Sequence, residues 1–253
     1  LGEDSEIRIL PVPGLPEIGE GFNLGAAIAS AIPIQPGDIV VISQKAVSKS
    51  EGMLVRLAEV EPGRQATAMA QRAGKDPRLV ELILAQSRSV IREDPERGIL
   101  ITETVHGLIC ANSGIDVSNL PETDSALLLP ADPDESARRI RREIEAVCGL
   151  KPAVLVTDSL GRAWRLGQSE VAIGCAGIEP LEDWRGWTDS SGRELAATVI
   201  ATADQIAGAA DLARNKTSRT PAVLVRGLAD LVTEADGPGS AAQIRPAAED
   251  LFR

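Results

Sequence analysis

Apolar residues recur along the chain in two rhythms, helical spacing and short unbroken runs, and their succession sets out the elements. Leu24, Ala27, Ile28, Ala31 and Ile32 fall at helical spacing behind Asn23, a residue type that caps helices by accepting a free amide of the first turn. The run 39–42 follows the turn Gln35-Pro36-Gly37-Asp38 and predicts a short buried strand, which gives way to Ser43-Gln44-Lys45. Asp76-Pro77 opens a second helix, with Leu79, Val80, Ile83 and Leu84 on one face. Stretches 98–104 and 107–111 are rich in β-branched and apolar side chains and predict strands running into the polar segment Asn112-Ser113-Gly114-Ile115-Asp116. Asp132-Pro133-Asp134-Glu135 predicts a helix start, with Ala137, Ile140, Ile144 and Val147 inward, basic residues outward and Gly149 as the stop. A strand over 153–157 then delivers Asp158 at its end. Leu195, Val199, Ala203, Ile206 and Ala210 predict a helix from about 194 to 213, and a strand over 222–225 follows.

Strands and helices alternate without a regular β-α-β period. That favours an α+β or irregular α/β fold, with mixed sheets and flanking helices, over a Rossmann or barrel fold. A length of 253 residues is read as one domain spanning 1–253, with room for two subdomains.

Composition narrows the function classes. With two Phe, three Trp and no Tyr, the core must be built from Leu, Ile, Val and Ala, and stacking platforms for nucleic acid are not expected. Acidic residues outnumber basic ones 37 to 26, which argues against nucleic acid and anionic membrane as partners. No apolar run is long enough to span a bilayer and the first residues are acidic, so the chain reads as cytoplasmic. Cys110, Cys148 and Cys175 are widely spaced and read as buried reduced thiols. A single histidine, His106, excludes a two-histidine metal site and argues against Ser-His chemistry. Any metal is therefore expected on oxygen ligands, as magnesium, manganese or calcium would be.

The candidate chemistry lies where strands end. No G-x-x-x-x-G-K-[ST] loop occurs, and Gly19, Gly21 and Gly25 miss the dinucleotide spacing. Asp158-Ser159-Leu160-Gly161-Arg162-Ala163-Trp164-Arg165 sets a carboxylate and a hydroxyl, suited to Mg²⁺ or Mn²⁺, beside two guanidiniums suited to phosphate. An aspartate turn followed by a surface helix is the plainer reading of the same residues, and both stay open. Asp116 offers a second carboxylate on a different strand end, or an ordinary turn. Ser43, Gln44, Lys45, Ser48 and Lys49 form a polar, basic cluster, read either as a phosphate neutraliser or as a solvated loop. Pro11 to Ile18 is a proline-stiffened segment whose backbone is free to meet a ligand.

In this order the pieces resemble the coenzyme F420-0:L-glutamate ligase family. The most specific stretch runs from Asp158 through Ala172-Ile173-Gly174-Cys175-Ala176-Gly177-Ile178 and Trp184-Arg185-Gly186 to Gly192-Arg193-Glu194-Leu195. Gly14 to Ile18, Ser43 to Gly52 and Ile101 to Asn119 match as well. The resemblance implies that Leu15, Pro16, Glu17, Ile18, Ser43, Gln44, Lys49 and Asn119 touch GTP. It implies that Asp116, Asp158 and Ser159 bind two divalent ions, Mg²⁺ or Mn²⁺; on the chemistry of their charges, Lys49, Arg162 and Arg165 are expected to assist phosphoryl transfer. It also implies an intertwined homodimer with the site near the subunit junction, and F420-0, L-glutamate and GTP as small-molecule partners.

One stretch departs from the family pattern. A nucleotide loop with glycine and acidic positions, sometimes carrying a metal ligand, is expected before the strand at 222. Here it reads Ala213, Arg214, Asn215, Lys216, Thr217, Ser218, Arg219 and Thr220. Asn215 still offers a metal oxygen, while Arg214 and Arg219 add charge. The expected reaction is glutamate addition to F420-0 through an acyl phosphate. A paralogous ligase with another acid and amine, and a catalytically silent nucleotide-binding dimer, are the alternatives.

Overall fold

The computed structural model describes residues 6–118, 120, 124–214 and 220–250. In chain order the strands and helices begin with β1 (Arg8–Pro11), α1 (Leu24–Ala31), β2 (Ile39–Ser43), α2 (Gln44–Ser50), β3 (Leu54–Arg56), α3 (Arg64–Ala73) and α4 (Pro77–Ala85). They continue with β4 (Ser87–Asp94), β5 (Ile99–Thr104), β6 (Ile109–Ala111), β7 (Ser125–Leu127), α5 (Pro133–Cys148) and β8 (Ala153–Arg162). The last are β9 (Arg165–Ala176), β10 (Glu182–Asp183), β11 (Val199–Ile200), α6 (Thr202–Asp211) and β12 (Ala222–Arg226).

The central sheet runs β1-β12-β2-β8-β9, with β2 and β8 parallel and the other neighbours antiparallel. In β2, Val40 and Ile42 point into one core with Leu24 and Ile28 of α1 and Ile140 and Ile144 of α5. Ile39 and Val41 point the other way, toward Ala203, Ile206 and Ala210 of α6. A strand covered on both faces needs an apolar residue at every position, so the unbroken run at 39–42 is the signature of the sheet's middle. Each such side chain stabilises by roughly 1.5–3 kcal/mol when fully buried. Smaller sheets are β4-β5-β6, β3-β7 and β10-β11, and a third apolar cluster joins Met69 and Ala70 of α3 to Val80 and Ile83 of α4 and Leu100 of β5. This is the expected mixed α/β architecture with flanking helices.

The predicted helix ends form as their chemistry dictates. Asn23 Oδ1 accepts from Ala26 N at 2.8 Å, Asp132 Oδ1 accepts from Glu135 N at 2.9 Å, and Gly149 closes α5 in the left-handed region. Gly25 lets α1 approach α5 closely: a Cβ there would stand 2.4 Å from Glu143 Cβ.

Four expectations change. The strand beginning at Ala153 continues to Arg162, because β9 returns beside it and supplies a partner for residues 158–162; Asp158 therefore sits within a hairpin rather than at a strand end, and no surface helix follows it. The helix expected from 194 starts only at Thr202. Leu195 donates its amide to Trp187 O, and the β-branched Val199 and Ile200 pair with Asp183 and Glu182 as β11. On α5, Val147 faces solvent in the last turn and Cys148 is exposed, whereas Arg141, expected outside, is 3% exposed. Its guanidinium donates to Pro152 O, Thr233 O, Glu234 O and Asp236, fastening the segment after residue 232 to the back of α5. Residues 44–50 are a helix, not an open loop, because Ala46 and Val47 give it an apolar face on the core. Among the described residues no helix is long and apolar enough to cross a membrane.

Candidate active site

Two local features open one cleft. Strand β2 ends at Ser43 and turns directly into α2, holding Gln44, Lys45 and Lys49 at the end of the central sheet. Beside it β8 outruns β2, carrying Asp158 and Ser159 past the last β2 partner at Thr157. Between them lies a cleft of about 1240 Å³, lined by Leu15 to Ile18, Ser43, Gln44, Lys45, Lys49, Asp116, Thr157 to Gly161, Glu170, Asp211, Arg214 and Thr220, among others. Residues from six separate stretches of sequence thus face one volume, slightly above the usual range for small-molecule sites.

The cleft is densely charged. Lys45 Nζ meets Asp116 Oδ2 at 2.5 Å and donates to Ser118 O at 3.2 Å. Burial would raise the Asp116 carboxyl, but hydrogen bonds from Lys45 and Ser118 hold it below the usual range. Lys49 Nζ pairs with Glu17 at 2.7 Å. Deeper, Ser159 Oγ donates to Glu170 Oε1 at 2.5 Å, and Arg214 Nη2 donates to Glu170 Oε2 at 3.0 Å and to Thr157 Oγ1 at 3.1 Å. Asp158 accepts from Ser159 N at 2.9 Å and from the Gln44 side chain, and among the described residues no lysine or arginine pairs with it. Burial first, then the negative charges of Glu170 and Asp116, push its carboxyl up to about 7. The same burial, with the Asp158 charge beside it, pushes the Cys110 thiol up to about 12, so that cysteine stays protonated.

Most of the residues singled out from sequence meet here. Leu15, Pro16, Glu17, Ile18, Ser43, Gln44, Lys49, Asp116, Asp158, Ser159, Arg214 and Thr220 all line the cleft. Arg162 and Arg165 do not; they flank the turn of the β8-β9 hairpin, where Arg162 Nη2 donates to Leu166 O at 2.7 Å. Ala213 packs against the α6 core. Asn119, Asn215, Lys216, Thr217, Ser218 and Arg219 lie outside the described residues. Sequence reasoning did not single out Glu170, Gln168, Thr157 or Asp211. Gln168 and Glu170 sit two apart on β9, hence on one face, opposite Gly161 and Ser159; pairing the hairpin would have found them.

The donors are all oxygen and carry excess negative charge around Asp158, which suits a hard divalent cation. Asp116, Asp158 and Ser159 all line this cleft and offer oxygens of that kind. Among the described residues no three acidic, histidine or cysteine side chains already form a cage. Lys45 pairs with Asp116, and Arg214 with Glu170.

Comparison with known proteins gives a consistent answer. The family model described as F420-0:gamma-glutamyl ligase matches residues 14–227. The chain is 42% identical to the coenzyme F420:L-glutamate ligase of Methanopyrus kandleri, over 100% of both chains. It is 40% identical to the enzyme of that name from Methanothermobacter thermautotrophicus, over 98% of this chain and 99% of the relative. With the Methanocaldococcus jannaschii enzyme it shares 40% identity over 93% of this chain and 92% of that one.

Proposed function

Because the chain belongs to the F420-0:gamma-glutamyl ligase family, we propose that it joins L-glutamate to coenzyme F420-0 by an amide bond, with GTP activating the acid. A free carboxylate resists nucleophiles, so one of its oxygens first attacks the γ-phosphorus of GTP. The bond from that phosphorus to the bridging oxygen breaks, GDP leaves, and an acyl phosphate remains. The glutamate amine then attacks the acyl carbon, inorganic phosphate departs and the nitrogen gives its proton to solvent.

The cleft's chemistry supports each stage. Lys45 and Lys49 offer positive charge to a triphosphate, and Leu15 to Ile18, Ser43, Gln44, Arg214 and Thr220 offer walls for the nucleotide. Asp116, Asp158 and Ser159 would hold Mg²⁺ or Mn²⁺. When bound, that ion offsets charge on the phosphoryl oxygens during transfer. Transfer of this kind needs positioning and charge rather than a side-chain nucleophile, in keeping with a protonated Cys110 and a lone histidine.

Arg162 and Arg165 keep a part in this reading through a homodimer. The hairpin tip carries Trp164 at 85% and Leu166 at 97% exposure, apolar surface of the kind a second subunit covers. In a dimer joined there, the tip arginines of one subunit serve the cleft of the other. We also take the chain as one domain across 1–253, since the family match runs unbroken from 14 to 227.

The observation that carries the proposal is the convergence of carboxylates, hydroxyl and lysines from distant stretches on a single cleft. Mass spectrometry of F420-0 incubated with glutamate, Mn²⁺ and each nucleoside triphosphate tests it. A gain of one glutamyl unit with GTP is expected, and GTP consumption without that gain refutes it.

A further inference from the structure

We infer that the Arg214 guanidinium stands in for a metal ion on the floor of the cleft, so that the site holds one divalent cation and not two. The inference rests on the reading of the cleft as a nucleotide and metal site.

Of Asp116, Asp158 and Glu170, two already have cations: Lys45 on Asp116 at 2.5 Å and Arg214 on Glu170 at 3.0 Å. The two pairs are not equivalent. The Lys45 side chain is 29% exposed at the cleft edge, on a flexible stem that swings aside and lets Asp116 take an ion. Arg214 and Glu170 are each 7% exposed, and the guanidinium is held a second time by Thr157 Oγ1 at 3.1 Å. Parting a buried pair leaves both charges uncompensated in a poorly solvated place, so an arriving ion does not displace Arg214 from Glu170. A dication set beside the intact pair meets the guanidinium's repulsion instead. Asp158, with Asp116 and Ser159, is left as the position for a single ion.

Arg214 also has donors to spare. Its Nε and Nη1 are buried, and among the described residues neither has a hydrogen-bond acceptor; Asp211 Oδ1 lies 3.7 Å from Nε, too far for one. Buried unpaired donors are rare in proteins because water no longer satisfies them. An oxyanion entering the cleft, whether a phosphoryl group or a carboxylate, satisfies them. The guanidinium thus neutralises Glu170 and offers contacts to a charged oxygen, the two services a second ion would supply.

The test counts Mn²⁺ bound per chain by equilibrium dialysis of the full-length protein with saturating GTP and no acid substrate. Electron paramagnetic resonance separates isolated from coupled ions. One isolated Mn²⁺ per chain is expected, and Arg214→Met, which keeps the aliphatic bulk without the charge, is expected to take up a second. Two ions in the native protein overturn the inference. So does a folded Arg214→Met that still binds one. Should that variant not fold, the native count decides alone. No bound Mn²⁺ in the native protein refutes the metal-site reading of the cleft, and this inference with it.

Discussion

Replacing Asp158 with asparagine is expected to stabilise the metal-free protein at alkaline pH while removing metal-dependent nucleotide binding. Burial, Glu170 and Asp116 push the Asp158 carboxyl from 3.8 to about 7, so the folded chain holds a proton there that the unfolded chain has released. The associated stability is fully present below pH 3.8, declines as pH rises, and is lost above about 7. Three pKa units at about 1.4 kcal/mol each set an upper bound of roughly 4 kcal/mol. One side of the carboxyl faces the open cleft, and water there reduces the effect to about 1–3 kcal/mol. Asparagine keeps the shape and an acceptor for the Ser159 amide without the charge. At pH 8.5 in EDTA the variant should therefore unfold above the native protein, by roughly 3–10 °C for a chain of this length. The difference should shrink as pH falls from 7 toward 4. Thermal denaturation of both proteins across that range measures it, and a variant no more stable than native at pH 8.5 refutes the reasoning. Calorimetry with GTP and Mn²⁺ supplies the functional half, where native-like affinity in the variant would remove Asp158 from the site.

Four further outcomes are expected. Arg141→Ala strands the carbonyls of Pro152, Thr233 and Glu234 and the Asp236 carboxylate, and should cost about 3–5 kcal/mol in urea denaturation. Gly25→Ala drives a methyl group into Glu143 and the Ile140 carbonyl, and a loss of about 1–3 kcal/mol in the same assay is expected. Lys49→Met should weaken GTP binding by about tenfold or more in calorimetry, since a charged donor to phosphate contributes roughly 1.5–3 kcal/mol. Ser87 bonds Ile83 O and Ser113 Oγ away from the cleft, so Ser87→Ala should cost about 1 kcal/mol of stability and leave glutamate ligation within about twofold of native.

The parts of the fold legible in sequence are those decided locally. Asn23, Asp132 and Gly149 mark helix ends because a cap is settled within a turn of chain, and the run at 39–42 marks a doubly covered strand because its pleat leaves no residue facing water. What escaped depends on a distant partner. Residues 158–162 are mostly polar or glycine and have little strand character of their own; they become strand because β9 pairs with them. Leu195 and Val199 share helical spacing with Ala203 and Ile206, yet the antiparallel pairing at 182–183 claims Val199 first. Arg141 looks like an outer-face arginine until the chain beyond residue 232 returns to cover it.

The same distinction explains the site. Asp116, Asp158 and the Ser43 to Lys49 cluster stand out because polar residues directly after apolar runs are conspicuous, whereas Glu170 lies inside a strand and is noticed only once the hairpin is paired. Its partner, Arg214, belongs to a stretch where the family pattern breaks, so sequence alone leaves the effect of the added charge open. The geometry gives that charge a job. A guanidinium buried against Glu170 and Thr157 cannot be a solvated surface charge, and in a cleft this acidic it reduces the positive charge that any metal must bring. The stretch that departs from the family pattern in sequence thus sets, in three dimensions, a guanidinium against Glu170.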